Sequence, residues 1–336
     1  MTRRITVITV TFQSAAEIGD SLASARVAAE RAGIDLEFVV IDNASTDGSA
    51  EVAASAAGGA VVIRNAENVG FGAANNQAFE VATGDAWLLL NPDARLEPDA
   101  LQLLLRYYDD HSRAAGVAPA IAGGGARGGS FEPGGAESAG MLPGTASAIG
   151  HFLFLNRLLP DDRGGAWRGF QLTRRPRLGP RRVEWASAAA LLLRPAAIRQ
   201  VGGFDPTIFM YGEDVELGER LARAGWQMWL VPGAHAWHTI ASSQSGVSTR
   251  WIDSLHGAMA RRSGRFRLTV FDFVLGVSLL TRAAATRGRR PEACLHRRRM
   301  KASGGRALRL ALTAAHHGPS AAPDRAAPEV REPNVR

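Results

Sequence analysis

The sequence predicts an α/β fold in which a mostly parallel sheet is flanked by helices. Short apolar runs bounded by turn residues alternate with helical segments over the first 121 residues, and the loops between them are short. Strands and helices that alternate in this way favour a parallel sheet with helices on both faces. The composition agrees, because 46% hydrophobic and 21% charged residues are ordinary for a folded domain.

Five apolar runs in this half are predicted to be strands, because apolar and β-branched residues between turn signals are typical of buried strands. They are Ile5–Val10, Leu36–Ile41, Ala60–Ile63, Trp87–Leu90 and Val117–Ile121. Four helices are predicted between them. The first begins with a capping box at Ser14 and Glu17 and ends at Gly33, and the others are a short helix from Ser49, Phe71–Ala82, and Pro98 to about Asp110.

The second half begins with a change in composition. Residues 122–180 contain a segment rich in Gly, Ser and Pro and are predicted to form a flexible insertion or lid. Regular structure is then expected in three strands and two helices. They are Ala188–Leu193, Trp226–Val231 and Ala234–His238 as strands, and Pro195–Val201 and Glu213–Ala224 as helices.

Polar residues follow the carboxyl ends of the predicted strands, where open α/β sheets bind ligands. They are Thr11, Asp42, Asn65, Asn68, Asn91 and Asp93. Taken singly, Asp42 is equally well explained as a cap for its own loop, and Asn91-Pro92-Asp93 as a turn. Their convergence favours a ligand site.

The segment from Asn68 through Gly70 and Gly72 is not predicted to bind a dinucleotide. Asn75 occupies the place of the third small residue, and two strands precede the motif instead of one. The glycines instead predict a close backbone approach and the start of a helix near a ligand.

Four side chains have chemistry that could serve a ligand site. The Asp42 carboxylate could accept the imide N–H of uracil or thymine. Asp93 could hold Mg²⁺ or Mn²⁺ against a diphosphate, with His238 completing the site, although a single strand histidine is more often structural. Asp214 is the candidate general base, and a charge that favours the start of a helix is its alternative explanation.

The C-terminal quarter is basic. Residues 250–336 contain 18 Lys and Arg against 6 Asp and Glu, whereas the first 249 residues contain 21 against 26. Arginines beside the apolar run Leu268–Leu280 are typical of a segment that binds anionic lipid, and a solvated helical face is the even alternative. We expect no nucleic acid as a partner, because no motif for reading nucleic acid is present. No continuous apolar run is long enough to predict a membrane-spanning helix.

Five segments together resemble glycosyltransferase family 2, and are closest to its rhamnosyltransferase-like branch. They occur in order and with family-like spacing over about residues 5–245. The segments are Val40–Ser49, Asn65–Asn76, Leu90-Asn-Pro-Asp93, Gly202–Leu217 with its Glu213-Asp214 pair, and Arg220–Trp226.

The resemblance implies a GT-A fold, which is Rossmann-like, with a nucleotide-sugar donor, a divalent metal (Mg²⁺ or Mn²⁺) and inversion at the anomeric carbon. By position, Asp214 resembles the catalytic base with Glu213 beside it, and His238 the late histidine at the metal or diphosphate, with His235 as its competitor. Asn91 stands where the family's metal motif has its first acidic residue, which leaves Asp93 as the matching last member. We therefore expect the donor to be bound by Thr11, Asp42, Asn68, Gly70, Asn75, Asn91 and Asp93, and the metal by Asp93 and His238.

The resulting hypothesis is an inverting transferase that moves a sugar, with rhamnose as the first choice, from a dTDP- or UDP-sugar to a cell-envelope glycan or polyprenyl-linked acceptor. The alternative is a non-catalytic protein that binds a nucleotide sugar or glycan on the same fold. We expect a GT-A domain over 1–248, a basic amphipathic helical extension over 249–316 and a disordered tail over 317–336. The single cysteine, Cys294, fits a reducing compartment, so the expected location is the cytoplasm, with peripheral attachment to the inner face of the membrane.

Overall fold

The computed structural model describes residues 3–123, 139–142, 144, 179–239, 249–285 and 291–317. Most of the predicted insertion (124–138, 143 and 145–178) and most of the predicted tail (318–336) lie outside these residues. The described strands are β1 (Arg4–Thr11), β2 (Asp35–Asp42), β3 (Val61–Arg64), β4 (Ala86–Leu90), β5 (Ala94–Leu96), β6 (Ala114–Gly123), β7 (Ala139–Gly140), β8 (Arg181–Val183), β9 (Trp185–Ala186), β10 (Ala190–Leu193) and β11 (Gln227–His238).

The described helices lie between and after these strands. They are α1 (Ile18–Ala32), α2 (Ser49–Ala56), α3 (Phe71–Val81), α4 (Ala100–Asp110), α5 (Pro195–Val201), α6 (Glu213–Arg223), α7 (Arg250–Ala260), α8 (Arg265–Ala285) and α9 (Pro291–His317). The predicted α/β architecture and the helical C-terminal extension are therefore confirmed.

The main sheet has the strand order β3-β2-β1-β4-β10-β6-β11-β5, with β8 paired to β11. β1 pairs in parallel with β2 and β4, and β2 pairs in parallel with β3. β10 runs antiparallel between β4 and β6, and β6 is parallel to β11. The parallel half follows the alternation of strand and helix in the sequence, and the antiparallel β10 lets the second half of the chain join the same sheet.

The sheet is buried on both faces because its central strands are apolar at consecutive positions. Leu88 and Leu90 of β4 pack into the cluster that contains α1, α2 and α4. Trp87 and Leu89, which point to the other face, pack into the cluster that contains α3, α5 and α6. The two helical layers thus hold the carboxyl ends of β1, β2 and β4 at one sheet edge.

Two of the predicted local features differ in the structure. The capping box at Ser14 and Glu17 does not form, because the Ser14 hydroxyl donates to Phe12 O at 3.1 Å. The Ser14 carbonyl instead accepts the N–H groups of Glu17 and Ile18, so α1 begins later, at Ile18. The predicted start of the fourth helix is also early by two residues, since α4 begins at Ala100 and not at Pro98.

The two strands that were predicted at Trp226–Val231 and Ala234–His238 are one strand, β11. Its pairing with β6 shifts between Val231 and His235, where three extra residues oppose the step from Pro119 to Ala120. This bulge absorbs Pro232 and Gly233 without ending the strand. The strand therefore continues to His238, beside β5.

The C-terminal helices α7, α8 and α9 pack around a third apolar cluster, which also includes Trp185 and Val215 of the body. The helices α8 and α9 approach closely at two glycines, Gly276 and Gly304. Contrary to the sequence-based expectation, the 21-residue α8 is long and apolar enough to cross a membrane by length and composition, although 44% of its most apolar stretch is buried inside the protein.

We predict that Gly276→Ala destabilises the helical extension. A Cβ atom at Gly276 would lie 2.6 Å from Leu308 Cγ and 3.1 Å from Gly304 O, so the helices must separate at a cost of about 1–3 kcal/mol in the free energy of unfolding. The matched control is Gly305→Ala on α9, whose Cβ would meet only an arginine terminus at 3.6 Å. Chemical denaturation would measure both variants, and equal or higher stability of Gly276→Ala contradicts the prediction.

Candidate active site

The carboxyl ends of β1 and β2 place Thr11 and Asp42 side by side in the parallel register. Asp42 is buried, and its carboxylate accepts the Ser45 N–H at 3.3 Å through both oxygens, which is the loop-capping role that the sequence left open. Bonds of this length leave the carboxylate acceptor capacity for a further donor. The Thr11 side chain is fully buried, and its hydroxyl has no hydrogen-bond partner among the residues described.

A chain of amide side chains joins the end of β2 to the glycine segment. Asn65 Nδ2 donates to Asn43 Oδ1 at 2.8 Å, and Asn43 Nδ2 donates to Gly70 O at 3.3 Å. Asn68 Oδ1 accepts the Gly70 N–H at 3.0 Å. These bonds hold the segment from Asn65 to Gly70 against the edge of the sheet. Sequence reasoning singled out Asn65, Asn68 and Gly70 but missed Asn43.

The predicted close backbone approach at Gly70 occurs, and its partner in the structure is another part of the chain. Gly70 has φ of 90°, and a Cβ there would lie 2.6 Å from the carbonyl oxygen of Phe209. The same oxygen accepts the Phe71 N–H at 3.0 Å. Asn75 is likewise turned inward, since its Nδ2 donates to Phe71 O at 2.9 Å within α3. Donor contacts by Gly70 and Asn75 stay predictions.

Asn76 forms the second contact between α3 and the segment before α6, and the sequence analysis did not select it. Its Oδ1 accepts the Phe204 N–H at 2.8 Å, and its Nδ2 donates to Phe204 O at 2.8 Å. The Asn76 amide thus satisfies both backbone groups of Phe204, as a neighbouring strand would in a sheet. The adjacent Gly203 has φ of 74°, and a Cβ there would lie 2.4 Å from Asn76 Oδ1.

His238 meets Asp93 at the other end of the site. β11 pairs antiparallel with β5 so that His238 lies opposite Ala94, and the Thr239 N–H donates to Asp93 O at 3.0 Å. The Nε2 atom of His238 is consequently 3.1 Å from Asp93 Oδ1 and 3.3 Å from Asn91 Nδ2. The structure therefore brings Asn91, Asp93 and His238 together, as the sequence predicted.

His235, the competing histidine, pairs through its backbone with Ala120 of β6. Residues three apart on a strand point to opposite faces of the sheet. His235 and His238 therefore do not share a site, and the second of them is the one beside Asp93.

Asp93 and His238 fit a single divalent cation. Two ligands of an octahedral ion with bonds near 2.1 Å are about 3 Å apart, which matches the separation of Asp93 Oδ1 and His238 Nε2. A carboxylate and an imidazole suit Mn²⁺ and, through the oxygen, Mg²⁺. No group of three or more His, Cys, Asp or Glu side chains gathers at one point in the described ranges. A bound ion would consequently need further oxygens from a substrate or water.

Glu213 and Asp214 begin α6, after Gly212 with φ of 91°. Burial first, and the neighbouring Asp214 carboxylate second, together raise the pKa of Glu213 to about 8. Burial also raises the pKa of Asp214, to about 6, while its Oδ1 accepts the Val215 N–H at 2.8 Å. Both pKa values are raised, that of Glu213 more than that of Asp214, so Asp214 is the carboxyl of the pair that ionises more readily near neutral pH. Asp214 is also the more exposed of the two, which lets it accept a proton from a substrate.

Arg220 anchors the helix that carries this pair. Its guanidinium binds Glu216 through two bonds, at 2.7 and 2.6 Å, and donates to the carbonyls of Val201 and Gly203. Glu216 thus has a structural role. Arg220 and Asn76 thus both hold the start of the loop between α5 and α6, over residues 201–204.

Comparisons with known proteins show what the chain is similar to. Residues 6–176 match the model of the family "Glycosyl transferase family 2". The chain is 31% identical over 254 residues to the N-acetylglucosaminyl-diphospho-decaprenol L-rhamnosyltransferase of Mycobacterium tuberculosis, which covers 72% of this chain and 78% of that protein. A shorter match of 56 residues, 41% identical, covers 17% of this chain and 21% of the rhamnosyltransferase WbbL of Escherichia coli.

Two solved structures share the fold. The mannosyltransferase PcManGT of Pyrobaculum calidifontis, in complex with GDP-Man and Mn²⁺, superposes with a TM-score of 0.56 at 17% identity, over 94% of this chain and 88% of that one. GalNAc-T7 with UDP, GalNAc and Mn²⁺ superposes with a TM-score of 0.54 at 14% identity, over 76% and 47%.

We predict that Asn76→Ala loosens the segment from Phe204 to Phe209. Loss of both bonds to the Phe204 backbone should cost about 1–2 kcal/mol of local stability, which is a roughly fivefold to thirtyfold rise in the population that exchanges. Hydrogen–deuterium exchange of peptides that cover 204–212 would measure this rise. Asn76→Asp, which keeps the acceptor for the Phe204 N–H, should give a smaller rise. Unchanged exchange in both variants would show that the bonds of Asn76 do not hold this segment.

Proposed function

The chain belongs to glycosyltransferase family 2 and has its GT-A fold, and we propose that it is an inverting rhamnosyltransferase. The proposed donor is dTDP-rhamnose or another dTDP- or UDP-sugar, and the proposed acceptor is a sugar linked through diphosphate to a polyprenol. The family membership makes the chain a glycosyltransferase. The choice of rhamnose is supported by the names of the two rhamnosyltransferases that the chain resembles. The choice of acceptor is supported by the name of the mycobacterial one.

One observation carries the catalytic proposal. Asp93 and His238 come from distant parts of the chain, and their side chains lie 3.1 Å apart, which is a separation that two neighbouring ligands of one divalent cation would have. Mg²⁺ or Mn²⁺ bound there would offset the charge that develops on a leaving diphosphate. Asp42, at the neighbouring strand end, is proposed to accept the imide N–H of the donor base.

Asp214 is proposed as the general base. Its carboxylate accepts the proton of the acceptor hydroxyl while that oxygen forms a bond to the anomeric carbon. The bond from this carbon to the diphosphate oxygen breaks with its electron pair, so attack from the opposite side inverts the configuration. The neutral Glu213 beside it avoids a second negative charge at the same point and lets Asp214 stay ionised at neutral pH.

A polyprenyl-linked acceptor would lie in a membrane, so we propose that the protein works as a peripheral protein at the inner face of the membrane. The basic helical extension supports this location, because arginines are attracted to anionic lipid head groups.

A panel of nucleotide sugars tests the donor. We predict that dTDP-rhamnose raises the Tm of the protein more than UDP-glucose, UDP-N-acetylglucosamine or GDP-mannose, and that Mn²⁺ enlarges the rise. At a hundredfold excess over Kd the stabilisation is about 2.7 kcal/mol, which corresponds to a shift of several degrees. Asp93→Asn should lose the Mn²⁺-dependent part and keep its own Tm. A rise in Tm with GDP-mannose alone contradicts the proposal, and so does the absence of a rise with every nucleotide sugar tested.

The pH dependence of turnover tests the base. Because the pKa of Asp214 is raised to about 6, its carboxylate becomes protonated as the pH falls through that value, and kcat/KM should fall about tenfold per pH unit below it. Asp214→Asn should lose on the order of 10²–10⁴-fold of kcat at pH 7.5 while the donor-dependent Tm shift persists. Glu213→Gln, which imitates the protonated neighbour, should lose far less.

Full activity of Asp214→Asn would remove this residue from the mechanism. Donor binding without turnover in the unmodified protein would instead favour the non-catalytic alternative.

A further inference from the structure

One face of α8 is apolar and open to solvent. Phe266 is 81% exposed, Phe273 is 56% exposed and Val277 is 39% exposed, and Val270 is partly exposed between them. We call these four residues the α8 stripe. An isolated exposed apolar side chain needs no explanation, but a row of them on one element marks a binding surface.

The α8 stripe is a true helical face. At 100° per residue, its four members fall within about 60° of one another around the helix axis, over roughly 16 Å of its length. The opposite face is the buried one, where Leu268, Phe271, Leu275 and Leu279 enter the cluster with α7 and α9. The helix therefore has two apolar faces, and the protein covers only one of them among the residues described.

The buried face is held firmly, so α8 is a fixed part of the bundle. His256 Nδ1 of α7 lies 2.7 Å from Asp272 Oδ2, and the Asp272 side chain is fully buried. Gly276 of α8 meets Gly304 of α9 with no space for a side chain between them. A helix that crossed a bilayer by itself would have to give up both contacts and place Asp272 in hydrocarbon, at a high cost.

The charges beside the α8 stripe are positive. Arg261 and Arg267 are exposed, at the turn before α8 and in its first turn. Aromatic side chains next to arginines match the interface of a bilayer, where rings enter the acyl boundary and guanidinium groups meet phosphates. A second copy of the chain fits less well, because a self-complementary contact would bring like charges together.

We propose that the α8 stripe docks on an anionic lipid bilayer, with α8 lying in the plane of the interface. The proposal rests on the proposed function, since it gives the enzyme a surface that faces the membrane in which a polyprenyl-linked acceptor is held. The test is therefore chosen to read lipid binding without turnover.

The experiment is co-sedimentation of the full chain with vesicles of phosphatidylcholine, with and without phosphatidylglycerol. We expect binding to the vesicles that contain phosphatidylglycerol, and at least a roughly tenfold weaker partition for Phe266→Ser/Phe273→Ser, which removes two rings from the interface. The matched control is Val27→Ser/Leu103→Ser, which changes exposed apolar residues on α1 and α4 and should bind as the unmodified protein does.

A second variant tests the charges. Arg261→Glu/Arg267→Glu changes only exposed side chains and should weaken binding to anionic vesicles, most strongly at low salt. The serine variant should keep its Tm, its donor-dependent Tm shift and its activity on a short water-soluble acceptor, which separates loss of membrane docking from loss of the active site.

Three results would overturn the proposal. The first is no binding of the unmodified chain to anionic vesicles, and the second is equal binding of both variants and the control. The third is a dimer in sedimentation velocity that Phe266→Ser/Phe273→Ser converts to a monomer, because the α8 stripe would then be a contact between copies. If no nucleotide sugar binds but vesicle binding follows the α8 stripe, the proposed function fails and the docking surface remains.

Discussion

The contact between the Phe209 carbonyl and the backbone at Gly70 is the constraint on which the site depends. It joins the glycine segment, at the parallel half of the sheet, to the loop that leads into α6 and its Glu213-Asp214 pair. Any side chain at position 70 would occupy the place of that carbonyl oxygen, and only glycine adopts φ of 90° at little cost. The glycine segment therefore serves as a contact within the protein that positions the loop leading into α6.

The metal-binding half of the site depends on a different constraint, the register of β11. The end of this strand lies between β6, to which it is parallel, and β5, to which it is antiparallel. The bulge between Val231 and His235 sets which of its side chains face Asp93. A shift of one residue would exchange His238 for Trp237, because successive side chains on a strand point to opposite faces. The partnership of Asp93 and His238 is thus a result of the pairing of β11 with its two neighbours, β6 and β5.

These two constraints explain how far the sequence could predict the structure. The parallel strands, α2, α3 and α5, and the polar sheet edge were predictable because apolar periodicity and turn residues are local signals. Asn91 and Asp93 were found because they follow a strand end, and His238 was found as a histidine on a distant predicted strand that matches the late histidine of the family. Strand pairing then brought the three together. Two contacts were not predictable, because each joins atoms that are distant in sequence: the bonds of Asn76 to Phe204 and the approach of Gly70 to Phe209. The absence of the capping box at Ser14 was not predictable either, because it depends on the local path around Gln13, which has φ of 54°. The half-exposed state of α8 was hidden for the same reason, since its periodicity does not say how many of its faces are covered.

The same long-range packing links the helical extension to the catalytic helix. Val215, the residue after the proposed base, lies in one cluster with Ile252 and Leu255 of α7 and with the buried face of α8. A Cβ at Gly212, just before α6, would lie 2.7 Å from Ser254 Cβ, so α7 also presses on the N-terminus of that helix. Because protein interiors are closely packed, a change in the position of α7 would also move the N-terminus of α6. The burial that raises the pKa of Glu213 and Asp214 therefore exists at a helix start packed against the bundle, and the stability of that bundle is a condition for the acid–base properties of the pair.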